Sequence, residues 1–376
     1  MSKATRNNLI AVGVLIALTT AIFILSRFEN IAEWWASQYY KEIAYIMLDF
    51  EDFFKFSVFE AFMFSLAAAT LAFIIVAINR FIHKKKEDGW SYITGMLVML
   101  LAVLFMYASI ALPMYKRAPL NIKEEQTLLS DDEAVEIVNK YFDDFNNLVD
   151  SMTKNDEGVV CEYSDQELIQ KIKDSYKMLD DNEYFARVYA RPKAMVFSPI
   201  MTWFGIEGIT FLPTVEPGYN KQAPITDKVM AIAHELAHTR GIMREADANE
   251  TAYYVLLNSD DAYLKYIGYL HTYSYMLKVL KLTNNEVDYS LIPVAAKIDI
   301  KQSNDFWKQK AVLRNAGEAI NSLYLKLNSQ DGTNSYQSYD EHTEEEYIDE
   351  QGDVKIKYSV TSYSHVQNMI FALYNN

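Results

Sequence analysis

Leu9 to Leu25 reads LIAVGVLIALTTAIFIL and carries no charge. A helix rises 1.5 Å per residue, so about 20 apolar residues cross the roughly 30 Å hydrocarbon layer of a bilayer. Two further stretches match that length. Ser57 to Asn79 reads SVFEAFMFSLAAATLAFIIVAIN with Glu60 as its one charge, and Trp90 to Tyr115 reads WSYITGMLVMLLAVLFMYASIALPMY with none. Uncharged runs of this length are rare as buried helices of soluble domains. The expectation is a membrane domain over residues 1–117, with helices at about 9–25, 57–79 and 90–115, followed by a second domain over 118–376.

The loops predict an orientation. Lys3 and Arg6 precede the first segment, and Arg80 with Lys84, Lys85 and Lys86 lies between the second and third. The loop after the first segment holds Arg27, Lys41 and Lys55 against six acidic residues. Basic loops stay in the cytoplasm. A multi-pass cell-membrane protein with a cytoplasmic amino terminus and an extracytoplasmic carboxy-terminal domain is therefore expected. Lys116 and Arg117 run against this rule. The first segment lacks a small-x-small cleavage site before Ser26-Arg27-Phe28-Glu29 and reads as a retained anchor. Glu29 to Phe56, with Trp34, Trp35, Tyr39 and Tyr40, reads either as an amphipathic element on the outer surface or as a helix packed on the second domain.

Charge divides the chain. Residues 1–117 balance at +2 and the remainder at −17, out of a net −15 for 376 residues. Such an acidic domain excludes nucleic acid as partner, because phosphate binding needs a basic surface. Cys161 is the single cysteine, which excludes an intrachain disulfide and a cysteine-based zinc ribbon. The second domain reads as mainly helical. Ser130-x-x-Glu133 and Ser164-x-x-Glu167 are capping boxes, opening helices to about Met152 and Leu179. Gly208 to Leu212 reads as a strand ended by Pro213, and helical spacing fills most of Thr226 to Leu282. Ser338 to Asp353, SYDEHTEEEYIDEQGD, reads as a solvated acidic loop.

His234-Glu235-Leu236-Ala237-His238 carries the chemistry. Residues i and i+4 share a helix face about 5–6 Å apart, so two imidazoles there can grip one Zn2+. Glu235 leaves from the neighbouring face, placed to act as general base on a water instead of holding the ion. Thr226 is a candidate cap for this helix and Gly241 its stop. A catalytic zinc takes three protein ligands. The following cluster, Arg244-Glu245-Ala246-Asp247-Ala248-Asn249-Glu250, offers Glu245 as the third, with Asp247 as runner-up. The two lie about 200° apart around a helix, so one excludes the other.

HELAH followed by RExxAN resembles an uncharacterised family of bacterial membrane proteins, with three amino-terminal transmembrane segments and a zinc metallopeptidase signature. Phe56-Ser57-Val58-Phe59-Glu60, Thr214 to Asn220, Tyr324-Leu325-Lys326 with Asp331-Gly332, and Ser362-Tyr363-Ser364-His365 look similar too. The motif also resembles gluzincins of the membrane-embedded prenyl-protein protease type, whose third ligand is the first Glu of ExxAD; Asp247 and Asn249 depart from the two patterns. The resemblance implies a zincin-like α+β domain and a zinc metalloendopeptidase with Glu235 as its catalytic base. It further implies a peptide or protein substrate held as an added strand along Gly208–Leu212 or Thr214–Asn220. His271, His365, Tyr363 and Arg240 are candidate oxyanion stabilisers. The other expectation is a non-catalytic envelope protein with a structural zinc or peptide-binding site.

Overall fold

Ser2 accepts a hydrogen bond from the Thr5 amide and so starts α1 (Lys3–Leu25). The structure, a computed structural model, describes residues 1–118, 120, 129–327, 341–348 and 354–375. After a turn, α2 (Glu29–Trp34), a π-helical turn (Trp35–Tyr40) and α3 (Lys41–Asp52) form one continuous helical stretch. Ser57 then caps α4 (Val58–Ile82) by accepting from the Glu60 amide, and α5 (Lys86–Met114) follows. Helix α5 packs against both α1 and α4. Asn8 pins α1 to α5 by donating to the Ser91 carbonyl and the Thr94 hydroxyl at 3.0 and 3.1 Å. By length and composition, α1, α4 and α5 are each able to cross a membrane.

The remainder is mainly helical. In chain order it holds α6 (Asp131–Ser151), a hairpin of β1 (Lys154–Asn155) and β2 (Gly158–Val159), and α7 (Asp165–Ser175). Then come β3 (Lys193–Ala194), α8 (Ser198–Phe204), β4 (Gly208–Phe211), β5 (Glu216–Tyr219) and α9 (Ile225–Thr239). Next are α10 (Glu245–Leu257), α11 (Ala262–Leu282), α12 (Val294–Lys310) and α13 (Arg314–Leu327). A hairpin of β6 (Glu341–Ile348) and β7 (Val354–Ser362), and α14 (His365–Tyr374), close the described chain. Both expected capping boxes form, at Ser130 and Ser164.

The core sits between α6, α9, α10, α11 and α14. Tyr141, Phe145, Ile232, Leu236, Tyr253, Tyr266, Ile267 and Ile370 are all buried there. Each large apolar side chain removed from water contributes about 1.5–3 kcal/mol. Phe145 stacks on Tyr269 at 5.1 Å between ring centres, and the buried Tyr141 hydroxyl donates to the Tyr269 carbonyl at 3.0 Å. The three-stranded sheet has the order β3-β5-β4, with β3 parallel and β4 antiparallel to β5. Helix α9 packs against β4 and β5.

The end of α5 and the stretch after α1 are built into this domain. Ala36, Tyr40 and Ala44 share a buried cluster with Ile110, Ala111 and Met114 of α5 and with Val188, Leu212, Val215 and Met243. The stretch after α1 thus packs on the second domain, while Trp34, Ile46, Phe50, Phe53 and Phe56 remain exposed. Arg117, just after α5, is held by local contacts. Its guanidinium is buried, pairs with Glu33 at 3.1 Å, lies over the Tyr184 ring and donates to the carbonyls of Tyr184 and Gly241.

Three expectations need correction. Helix α9 begins at Ile225 after Pro224, so Thr226 is inside the first turn and bonds Asp227 instead of capping. Residues 341–348 of the acidic stretch form β6, paired antiparallel with β7 and setting Glu345 opposite Lys357; 338–340 and 349–353 lie outside the described residues. Thr214 to Asn220 is no free edge, because β5 is the central, buried strand. Asp331 and Gly332 also fall outside the described residues.

Candidate metal centre

Helix α9 brings His234 and His238 onto one face, one turn apart, with ring centres 4.6 Å apart and planes nearly perpendicular. The helix ends in a tight closure. The Gly241 amide bonds the His238 carbonyl, and the Ile242 amide reaches back to the Ala237 carbonyl. Gly241 adopts φ +96°, where a side chain is strained, and Met114 and Tyr40 lie 3.1 and 3.4 Å from where a Cβ would stand. The chain therefore reverses directly into α10, whose first residue, Glu245, returns over the two imidazoles.

Glu245 Oε2 lies 3.2 Å from His234 Nε2 and 3.7 Å from His238 Nε2. One ligand atom from each of the three residues fits within 4.8 Å of the others. Four donors around zinc at about 2.0–2.1 Å are separated from one another by roughly 3.3 Å, so this spacing fits the ion. Tautomers fit as well. His238 Nδ1 faces the Ile242 carbonyl at 2.6 Å, and a carbonyl only accepts, so Nδ1 carries a proton and Nε2 is the nitrogen left to bind a metal. His234 Nδ1 faces Asn249 Oδ1 at 2.8 Å and is fixed in the same way. Without metal the three form a charge cluster. Burial works against a charged His238, but Glu245 more than offsets it and lifts the imidazole to about 9, while the imidazoles hold the buried Glu245 carboxyl well below the usual carboxylate range.

Asp247 is elsewhere. Its Oδ2 accepts from the Leu120 amide at 3.2 Å and lies 3.6 Å from Arg244 Nε, on the far side of α10 from the imidazoles. Glu235 points to the edge strand. Thr210 Oγ1 donates to its Oε2 at 2.7 Å, and a Cβ on Gly208 would come within 2.6 Å of its carboxylate, so glycine there admits Glu235. Burial pushes the Glu235 carboxyl upward, opposed by His238, His234 and the Thr210 hydroxyl. A carboxylate held in this way is neither fully solvated nor part of the His/Glu cluster.

None of the four candidate oxyanion residues makes a described hydrogen bond to the trio. Arg240 is buried under α9, bonded to the Tyr176 carbonyl and Asp180 and ringed by Tyr176, Phe185 and Tyr189. His271 lies near Thr226 and Asp227 at the other end of α9, and His365 lies near Asp247. The structure instead sets three tyrosines beside Glu245: Tyr324 of α13 shares hydrogen bonds with Tyr107 of α5, at 2.6 Å, and with Tyr115. Burial, Tyr107 and Glu245 disfavour ionisation of Tyr324, against the hydrogen bond with Tyr115. Sequence spacing carries no signal for this group, since Tyr324 lies more than 200 positions from Tyr107 and Tyr115.

Three long apolar helices, a mainly helical domain with small sheets, and a His/His/Glu cluster at one helix reversal define the class. Residues 35–340 match a family described as "Protein of unknown function (DUF3810)", and the chain belongs to that family. No curated protein matches the chain. No solved structure matches it either.

Proposed function

We propose that the protein is a membrane-anchored, zinc-dependent metallopeptidase that cleaves peptide bonds outside the cytoplasmic membrane. The convergence of His234 Nε2, His238 Nε2 and Glu245 within 4.8 Å, with Glu235 beside but not in the cluster, supports it best. His234, His238 and Glu245 would hold the ion, which when bound supplies a Lewis acid for the scissile carbonyl. Glu235 takes a proton from the attacking water and returns it to the leaving amine. Strand β4 is the open edge of the sheet and carries Gly208 and Thr210 against Glu235, so an extended peptide adds to it next to the base. The α5 end and its tyrosines place this site next to an apolar span, which suits substrates near a membrane surface.

The test is Glu235→Gln in the full-length protein. It should retain one zinc per chain and lose hydrolysis of a peptide library by at least about 100-fold, the usual worth of a general base. A variant that empties the site overturns the division of roles. A zinc-loaded parent that cuts nothing favours the structural-zinc or peptide-binding reading. Protease protection of a tag after Asn376 in intact cells would reverse the orientation.

A further inference from the structure

A cavity of about 780 Å³, lined by none of the His/Glu cluster residues, lies on the β3 side of the sheet. Its walls come from the start of α4, from α7 and from the residues around β3. That volume is in the range of small-molecule sites. Its wall has two characters. Lys55, Lys173 and Arg191 line it, and none has a carboxylate within ion-pair distance among the described residues. Ala61 and Phe64, one turn further along α4, supply an apolar side with Phe56 and Val196, and Phe56, Phe64 and Val196 are each more than half exposed.

The other charges of the wall are already satisfied. Lys193 is buried between Glu51 and Glu216 at 2.7 and 3.2 Å. Glu60 accepts from the amides of Val196 and Phe197 at 3.0 and 2.7 Å. Glu216 accepts from Ser57 and from the amides of Val58 and Phe59, the first donors of α4. These bonds fix the mouth of an apolar helix against the domain and leave Lys55, Lys173 and Arg191 as the wall's cations without an ion pair among the described residues. An anion fits the cations, and something apolar fits the α4 side.

We infer that this cavity binds an anionic phospholipid, with its phosphate against Lys55, Lys173 and Arg191 and its acyl chains along Phe64 and α4. This rests on the reading that α4 crosses a bilayer, and is independent of the zinc chemistry. A cavity at the first two turns of a span lies at headgroup depth. Each basic side chain at that depth strengthens binding to an anionic lipid about fivefold.

The full-length protein in a neutral detergent, with phosphatidylglycerol or phosphatidylcholine added, and then in discs of either lipid, supplies the test. Native mass spectrometry should show one phosphatidylglycerol retained per chain in preference to phosphatidylcholine. Lys55→Gln with Arg191→Gln should weaken that retention about 25-fold, while Arg191→Lys leaves it near the parent. Both lysine and arginine are exposed, and an unchanged unfolding temperature checks that the double variant folds. Equal retention of the two lipids, or unchanged retention in the double variant, overturns the inference. Displacement by inorganic phosphate alone, without dependence on acyl chains, assigns the cavity to a free anion and overturns it too. So does competition by a soluble acidic peptide. A parent that enters no disc removes the membrane reading itself, a failure recognisable because neither lipid is retained.

Discussion

Asn249 Oδ1 lies 2.8 Å from His234 Nδ1, across the gap between α10 and α9. Asn249 is four residues after Glu245, so both project from one face of α10 toward the imidazoles. One helix thus brings the proposed third ligand and also the group that orients the first imidazole. The separation of Asp247 follows from the same geometry: two residues further around the helix it faces Leu120, not the cluster.

Asn249→Ala should raise the zinc dissociation constant about 10–100-fold with the fold intact, since loss of the group orienting a ligating imidazole costs about that much. Asn249→Asp keeps an acceptor at the same distance and should recover most of the loss. Competition against a chelator of known affinity reads both. Parent-like affinity in Asn249→Ala would mean that His234 is oriented by something else.

Glu245 and Asp247 should separate cleanly. Glu245→Ala leaves two imidazoles, and zinc should wash out on gel filtration. Asp247→Ala should keep zinc and lose roughly 1–2 kcal/mol of stability, because the buried Leu120 amide loses its acceptor. Metal content and thermal unfolding together distinguish the variants. Zinc lost with Asp247 and retained without Glu245 reverses the assignment.

The candidate site was legible where a motif is local. His234, Glu235 and His238 occupy one turn, and the reversal at Gly241 brings Glu245 within eleven residues of His234. The tyrosines beside Glu245 were not legible, because a contact between Tyr107 and Tyr324 is made by tertiary packing alone. The spans expected at 9–25, 57–79 and 90–115 correspond to α1, α4 and α5, each extended by polar ends that hydropathy does not weigh. Composition misled at residues 341–348, where acidity suggested a loop but pairing with a basic partner strand makes β6. The Ser364-x-x-Gln367 box opens α14 with the same local signature as those at Ser130 and Ser164. Pro224 takes the cap position of α9, so Thr226, whose residue type suits a cap, falls inside the first turn.

The buried charges that join α4 to the sheet should dominate its anchoring. Lys193→Met leaves Glu51 and Glu216 buried without their cation and should destabilise the protein by roughly 3–5 kcal/mol. Glu216→Gln keeps an acceptor for the first amides of α4 and should cost less. Thermal unfolding in detergent measures both. Equal, small losses would mean that water reaches this cluster and screens it.

Glu250 should make stability fall as the pH rises. Burial, helped by Asp247, pushes its carboxyl up to about 8, against about 4.3 in an unfolded chain. Between those values the unfolded chain has released a proton that the folded protein still holds. A raised folded-state value contributes its full stability below the unfolded value and loses it as pH climbs through the folded one. Glu250→Gln has the shape of the protonated acid and cannot ionise. Its unfolding temperature should match the parent at pH 4–5 and exceed it progressively toward pH 8, by roughly 1–3 kcal/mol of stability. The other titrating groups, the His/Glu cluster included, are common to both proteins and cancel in the difference. Glu167 serves as a control of opposite sign: its bonds from Ser164 lower its carboxyl, so Glu167→Gln should lose ground relative to the parent as pH rises above about 4. Parallel curves for the parent and Glu250→Gln across pH 4–8 would show that Glu250 titrates alike in both states.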